Sequence, residues 1–166
     1  MEDSKVIKIK TNALIQLIDA FSGEILEESR VHNIVVNVGL DEVAHLIAGI
    51  SSPVAFGYMA LGTSATSPSA GQTALGTEVK RSSVTATDAG VGILTYDKTF
   101  TFNSGESYTI TEYGLFNDVS SGEMLNRLTD GGHAVDVNNN LRVIITITVS
   151  NSLFFIRGVL IWHIKF

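Results

Sequence analysis

Leu141-Arg142-Val143-Ile144-Ile145-Thr146-Ile147-Thr148-Val149 is the stretch that decides the fold class. Successive side chains of an extended chain point to opposite sides. Leu141, Val143, Ile145, Ile147 and Val149 therefore share one face, and Arg142, Ile144, Thr146 and Thr148 share the other. One wholly apolar face and one mixed face is the pattern of a sandwich or barrel wall, with one side against a core.

Working outward, the same period recurs. Val6-Ile7-Lys8-Ile9-Lys10 alternates, and Ala13 to Ala20 reads as a second strand carrying Leu14, Ile15, Leu17 and Ile18. Asp19-Ala20-Phe21-Ser22-Gly23-Glu24 supplies turn chemistry, and Glu24 to Val31 reads as the return strand of a hairpin. Further β-prone runs are Asn33 to Asn37, Ala55 to Leu61, Glu78 to Ala86, Gly92 to Phe102, Tyr108 to Asn117 and Glu123 to Leu128. Turn signals stand at Asn103-Ser104-Gly105-Glu106, Asp118 to Gly122 and Asp130-Gly131-Gly132. The period switches once: Leu40, Val43, Ala44 and Ile47 recur at helical spacing. Asp41 and Glu42 are expected in that helix's first turn, and Gly49 just past its end. Together these elements predict an all-β, single-domain antiparallel sandwich, jelly-roll-like, with one short α-helix near residues 40–48.

Residues 152–166 form an apolar C-terminal extension. Leu153, Phe154, Phe155, Ile156, Val159, Leu160, Ile161, Trp162, Ile164 and Phe166 make both faces apolar. A central strand of the chain's own sandwich, entered by a tight turn at Asn151-Ser152, is expected there, ahead of a strand completing a neighbour's sheet or a trimer axis. The run is broken by Arg157 and Gly158 and is shorter than the roughly 20 residues a membrane helix needs.

Composition narrows function. Of the 166 residues 45% are hydrophobic and only 17% charged, against about 25% in an average soluble domain. A low charge fraction suggests surface buried against another subunit, or a large core. A net charge of −6 and a pI near 5.1 argue against a phosphate-backbone partner. Lys8, Lys10, Lys80, Arg81, Arg142 and Arg157 are scattered. With no Cys, neither a disulfide nor a thiolate zinc site is available. The N-terminal Met1-Glu2-Asp3-Ser4-Lys5 lacks the apolar core of a secretory signal, so a soluble protein made in a cytoplasm is expected.

No catalytic constellation emerges. His32, His45, His133 and His163 have no partner at a metal-ligand spacing, and His45 falls opposite the helical stripe, where solvent is expected. Glu112 lies inside a strand, where a backbone amide or an arginine is its expected partner rather than a substrate. Asp136-Val137-Asn138-Asn139-Asn140 carries oxygen ligands but reads as an Asx-rich turn rather than a calcium site. The P-loop, nucleophile-elbow, zincin and EF-hand patterns are absent from the sequence. The expectation is a structural or binding protein, with no enzymatic activity, cofactor or metal.

The remaining feature is the long polar stretch from Leu61 to Arg81, bracketed by Leu61-Gly62-Thr63 and Leu75-Gly76-Thr77. A loop this long inside a domain is usually functional or mobile. Its small hydroxylated residues suit close approach to another surface. Contact with a neighbouring subunit, and not within its own, is expected, with Leu61, Gly62, Thr63, Pro68, Leu75, Gly76, Thr77 and Arg81 as the contact residues.

Several segments in this order resemble a group of small tailed-bacteriophage virion proteins: head-decoration, tail-fibre and baseplate-associated proteins. They are the Asp19–Glu24 hairpin, Asn33 to Gly39, the helix, Met59-Ala60-Leu61-Gly62-Thr63, the Ser/Thr/Pro/Ala loop, Thr73-Ala74-Leu75-Gly76-Thr77-Glu78-Val79-Lys80-Arg81 and Ile110-Thr111-Glu112-Tyr113-Gly114-Leu115-Phe116-Asn117. The resemblance covers roughly residues 12–150 and is sharpest at the two Leu-Gly-Thr segments and the Glu-Tyr-Gly-Leu-Phe-Asn strand. It implies a virion structural role. A capsid decoration protein is expected, binding the major capsid protein on the outside of the shell as a homo-oligomer, a trimer, with no nucleic acid or membrane partner. The alternative is a fibre, collar or baseplate adaptor of the tail, which is expected to carry a coiled coil or fibrous repeat that this sequence lacks.

Overall fold

The computed structural model describes residues 5–32 and 34–153, and its spine is a pair of long strands. β1 (Lys5–Asp19) and β10 (Asn139–Leu153) pair antiparallel throughout, Lys5 opposite Leu153 and Asp19 opposite Asn139. β2 (Ile25–His32) flanks β1, while β7 (Ile93–Thr101) and then β6 (Ala86–Gly90) flank β10. This first sheet therefore has the order β2-β1-β10-β7-β6. The second sheet has the order β3-β9-β8-β4-β5, built from β3 (Ile34–Val35), β4 (Tyr58–Gly62), β5 (Glu78–Ser83), β8 (Tyr108–Phe116) and β9 (Met124–Val135). All described pairings are antiparallel. The molecule is an all-β sandwich with a single helix among the described residues, α1 (Asn37–Ala48).

The alternation in β10 does what its pattern requires. Leu141, Val143 and Ile145 are fully buried and Ile147 nearly so, facing Met59, Leu61, Ile110, Leu115 and Leu128 of the second sheet. Each such side chain contributes about 1.5–3 kcal/mol on burial. The β1–β2 hairpin turns at Gly23, whose φ is 75°, with Asp19 Oδ1 accepting from the amides of Phe21 and Ser22. The Asp136–Asn139 turn is an Asx turn, the Asn138 amide donating to Asp136 Oδ1 at 2.8 Å.

Several local expectations are corrected. β1 is one strand, because Thr11 and Asn12 carry the alternation across the expected gap and Thr11 is buried. Asn151-Ser152 is not a turn; both residues lie inside β10, opposite Ile7 and Val6. Asp130-Gly131-Gly132 does not end a strand but falls within β9, where the register with β8 shifts between Ile110 and Glu112. The helix starts at Asn37, so Asp41 and Glu42 lie past its first turn. Glu42 is buried, accepting from the Val54 amide at 2.8 Å and Asn117 Nδ2 at 3.0 Å, and these bonds hold its carboxyl below the ordinary range against the opposing effect of burial. Gly49 closes the helix in the left-handed conformation, its amide donating to the His45 carbonyl at 2.8 Å. His45 is half-buried beside Glu42 rather than solvated. The reading of residues 154–166 as a strand lies outside the described residues.

Candidate functional site

The long loop does not stand away from its own subunit. A second apolar cluster, Val36, Ala60, Leu75, Phe116 and Met124, lies apart from the main core, with Ile34, Val38 and Tyr58 packed against it. Ala60 and Tyr58 alternate with Met59 and Leu61, and Phe116 with Leu115, so this cluster occupies the other face of the second sheet. The loop, through Leu75, covers that face. Its small residues let the backbone lie close to the strands.

The attachment is a buried carboxylate. Glu112 Oε1 accepts from the amides of Thr77 at 2.7 Å and Ser64 at 3.1 Å. Glu112 Oε2 accepts from the Gly76 amide at 2.8 Å and from Arg127 Nε and Nη2 at 2.9 and 2.6 Å. The third Arg127 nitrogen, Nη1, donates back into the loop, to the Thr66 carbonyl at 2.8 Å and Gln72 Oε1 at 3.2 Å. The Asn37 amide, at the start of α1, donates to the Ala70 carbonyl at 2.8 Å. Burial pushes the Glu112 carboxyl upward, but the amides of Thr77, Gly76 and Ser64 together with Arg127 outweigh it and hold the group below the usual glutamate range. With five donors on two oxygens, Glu112 has no free lone pair for proton transfer or a metal.

This geometry accounts for the paired Leu-Gly-Thr segments. A Cβ on Gly62 would meet the Glu112 carboxylate and the Thr77 carbonyl oxygen, the latter at 2.6 Å, and one on Gly76 would meet Ser64 Cβ at 2.6 Å. Both glycines are required by close approach. The following threonines join the two segments: the Thr63 amide donates to the Thr77 carbonyl at 3.0 Å.

The expected contact residues now divide. Leu61, Gly62 and Leu75 are buried within their own subunit and serve its fold, which corrects their assignment to a subunit contact. Arg81 is likewise committed within the chain: Nε and Nη2 donate to the Glu78 carboxylate, Nη1 to the carbonyls of Asp118 and Ser121, and the guanidinium lies 3.7 Å from the Phe116 ring centroid. Thr63, Pro68, Gly76 and Thr77 retain surface exposure. The expectation that the loop makes no contacts within its own subunit is overturned by the Glu112 and Arg127 bonds. The arginine carries no sequence signal of its own; only the β8–β9 register, which sets it opposite Gly114 and diagonal to Glu112, identifies it.

A second polar cluster joins the two sheets. His133 is buried, with Nδ1 2.9 Å from Glu27 Oε2 and Nε2 3.0 Å from Asp130 Oδ2. Ser29 Oγ donates to Asp130 Oδ2 at 3.0 Å, and the buried Tyr113 hydroxyl lies 3.2 Å from the same oxygen. The hydrogen bond to Asp130 raises the His133 pKa, Glu27 adds to it, and burial opposes both. Burial acts upward on Asp130 but is outweighed by His133 and the Gly132 amide, so its carboxyl is held low. Burial, then the charge of Asp130, pushes the Tyr113 hydroxyl up. Ser29, His133 and Glu27 superficially repeat a hydroxyl–imidazole–carboxylate order, with Ser29 Oγ 3.1 Å from His133 Nε2. The two carboxylates favour the doubly protonated imidazole, the form in which neither ring nitrogen has a lone pair for a general base. No cluster of metal-ligating side chains is found among the described residues.

In comparisons with known proteins, no family model, no curated protein and no solved structure matches the chain.

Proposed function

We propose that this chain is a structural protein of a tailed-bacteriophage virion, a capsid decoration protein that seats on the outside of the shell and stabilises it as an oligomer. The observation that carries the reading is the convergence on Glu112. The segments in which the resemblance is sharpest, Leu61-Gly62-Thr63, Leu75-Gly76-Thr77 and the strand beginning at Glu112, are distant in sequence and meet at one buried carboxylate. They make a single architectural device, a loop fastened flat over a sheet, and that device gives the motif a structural reason.

The surface supports an assembly role. On α1, Leu40 and Ile47 are 45% and 81% exposed, and nearby in sequence Ile50 and Val54 are 55% and 54% exposed. Large apolar groups left in water at this density suit a protein that works against another protein surface. The expected partner is the major capsid protein, and the expected state a trimer. The test is to add the purified chain to particles stripped of it. Re-binding that raises the temperature at which the shell releases its genome supports the reading, and failure to bind the shell refutes it. Binding confined to tails would move the protein to the fibre or baseplate.

A further inference from the structure

Strand β1 is longer than the neighbour that flanks it. It pairs with β10 along its whole length, Lys5 to Asp19, but with β2 only from Asn12, opposite His32, to Ile18. Beyond His32 the chain leaves the first sheet, and Ile34 and Val35 pair with β9 in the second. The edge of β1 from Lys5 to Thr11 is therefore bare. Among the described residues no other strand pairs with it, and no loop backbone bonds to it. Residues of an antiparallel ladder alternate in the side to which they direct their N–H and C=O groups. Every second residue of this stretch thus offers both groups to whatever lies alongside.

Alongside is a groove of about 600 Å³. The consecutive residues Ile7 to Asn12 all line it, positions from both faces of the sheet together, as happens at a strand's edge. The rest of the lining comes from His32, from Ile34 and Val35 of β3 and from Leu40 of α1. The core-side positions of β1 here are mostly apolar: Ile7 is 73% exposed, and Ile9 packs against the main core. Thr11, 3% exposed, stands where β2 stops, and its hydroxyl has no hydrogen-bond partner among the described residues. The outer positions are basic. Lys8 and Lys10 are exposed, and neither joins an ion pair among the described residues. No acidic residue lines the groove, in a chain whose net charge is −6.

We propose that this groove is a strand-docking site, and that its occupant is an extended segment of a partner protein in which apolar and acidic residues alternate. The segment pairs its backbone with the bare edge of β1, in the place β2 gives up at His32. Its apolar side chains pack on Ile7, Ile9 and Leu40, and its carboxylates meet Lys8 and Lys10. A second copy of this chain is a poor occupant. Two β1 edges paired about a two-fold axis at Lys8, Ile9 or Lys10 set lysine opposite lysine, which is destabilising. The charges that keep two copies apart select an acidic strand. The site is the same whether the chain sits on a shell or on a tail.

The test titrates the isotopically labelled full-length chain with a short capped peptide alternating valine and glutamate. Amide resonances between Ile7 and Thr11 should shift, and those facing the groove should become slow to exchange with solvent. A peptide alternating valine and lysine should bind about tenfold more weakly. Lys8→Glu combined with Lys10→Glu, both at exposed positions, should reverse that preference. Methylating the amide nitrogens of the acidic peptide should abolish binding, because strand pairing needs them. No binding at millimolar peptide overturns the proposal, as does equal binding of the methylated peptide, which would leave charge attraction alone. Shifts between Ile7 and Thr11 that appear when the chain is concentrated by itself give the edge to a second copy and also overturn it. If the double variant does not fold, the two peptides on the unaltered chain decide: preference for the acidic strand supports the proposal and equal affinity refutes it.

Discussion

Two nitrogens of Arg127, Nε and Nη2, donate to the same carboxylate oxygen of Glu112, and neither side chain has any solvent exposure. Breaking such a pair by removing one partner strands a charge in the interior, at a cost of about 3–5 kcal/mol. Glu112→Gln removes the charge and puts a donor where an acceptor is needed. A loss of that size is expected in urea denaturation, with the thermal midpoint falling about 2–4 °C per kcal/mol for a chain of this length. Arg127→Met with Glu112→Gln should recover part of the loss, because neither charge then remains buried alone.

The two Leu-Gly-Thr glycines should be intolerant where a nearby glycine is not. Gly62→Ala and Gly76→Ala force a methyl group into the Glu112 cradle and should each cost about 1–3 kcal/mol. Gly71, in the same loop, has nothing within 4 Å of the point where an alanine methyl would stand, and Gly71→Ala should be neutral. Equal effects at all three positions in thermal melts would refute the close-packing account.

The legibility of this fold follows the range of the interactions. Strand β10 is readable because period-2 alternation is local, and so is the fate of Glu112, because a carboxylate inside an apolar strand needs donors wherever they come from. Arg127 is not readable, since its role depends on pairing register. His133 is not readable either: Glu27 reaches it from a strand more than a hundred residues away. The loop misleads because its lack of apolar residues suggests an outside partner, whereas small residues serve equally well to lie flat on the chain's own sheet. The helix stripe misleads in a similar way. Gly39 and Glu42 are buried and Val43 half-buried, while Leu40, Ala44 and Ile47 remain outside.

The His133 cluster should give stability a two-sided pH dependence. His133 has a folded pKa above its ordinary 6.5, so its contribution is complete below about 6.5 and is lost as pH rises through the folded value. Asp130 has a folded pKa below its ordinary 3.8, so its contribution is complete above that value and is lost as pH falls through the folded one. The cluster therefore stabilises most between 3.8 and 6.5. Glu27 and Tyr113 also face it, and Tyr113 stays neutral across this range. Denaturation midpoints of His133→Gln should show a flatter alkaline limb than those of the parent chain; an unchanged limb would contradict the assignment.

The outer face of α1 should matter to assembly and not to folding. Ile47→Lys changes an exposed position and should alter stability by no more than about 0.5 kcal/mol. It should weaken co-sedimentation with particles at least tenfold. A variant that binds as well as the parent would remove this face from the interface.

The central claim is that the protein is a shell component, and its copy number per particle tests this most directly. Quantitative mass spectrometry of purified virions, scaled to the major capsid protein, should count copies on the order of hundreds. A handful or a dozen copies would contradict the capsid assignment and place the chain in the tail, and none at all would contradict a virion role altogether.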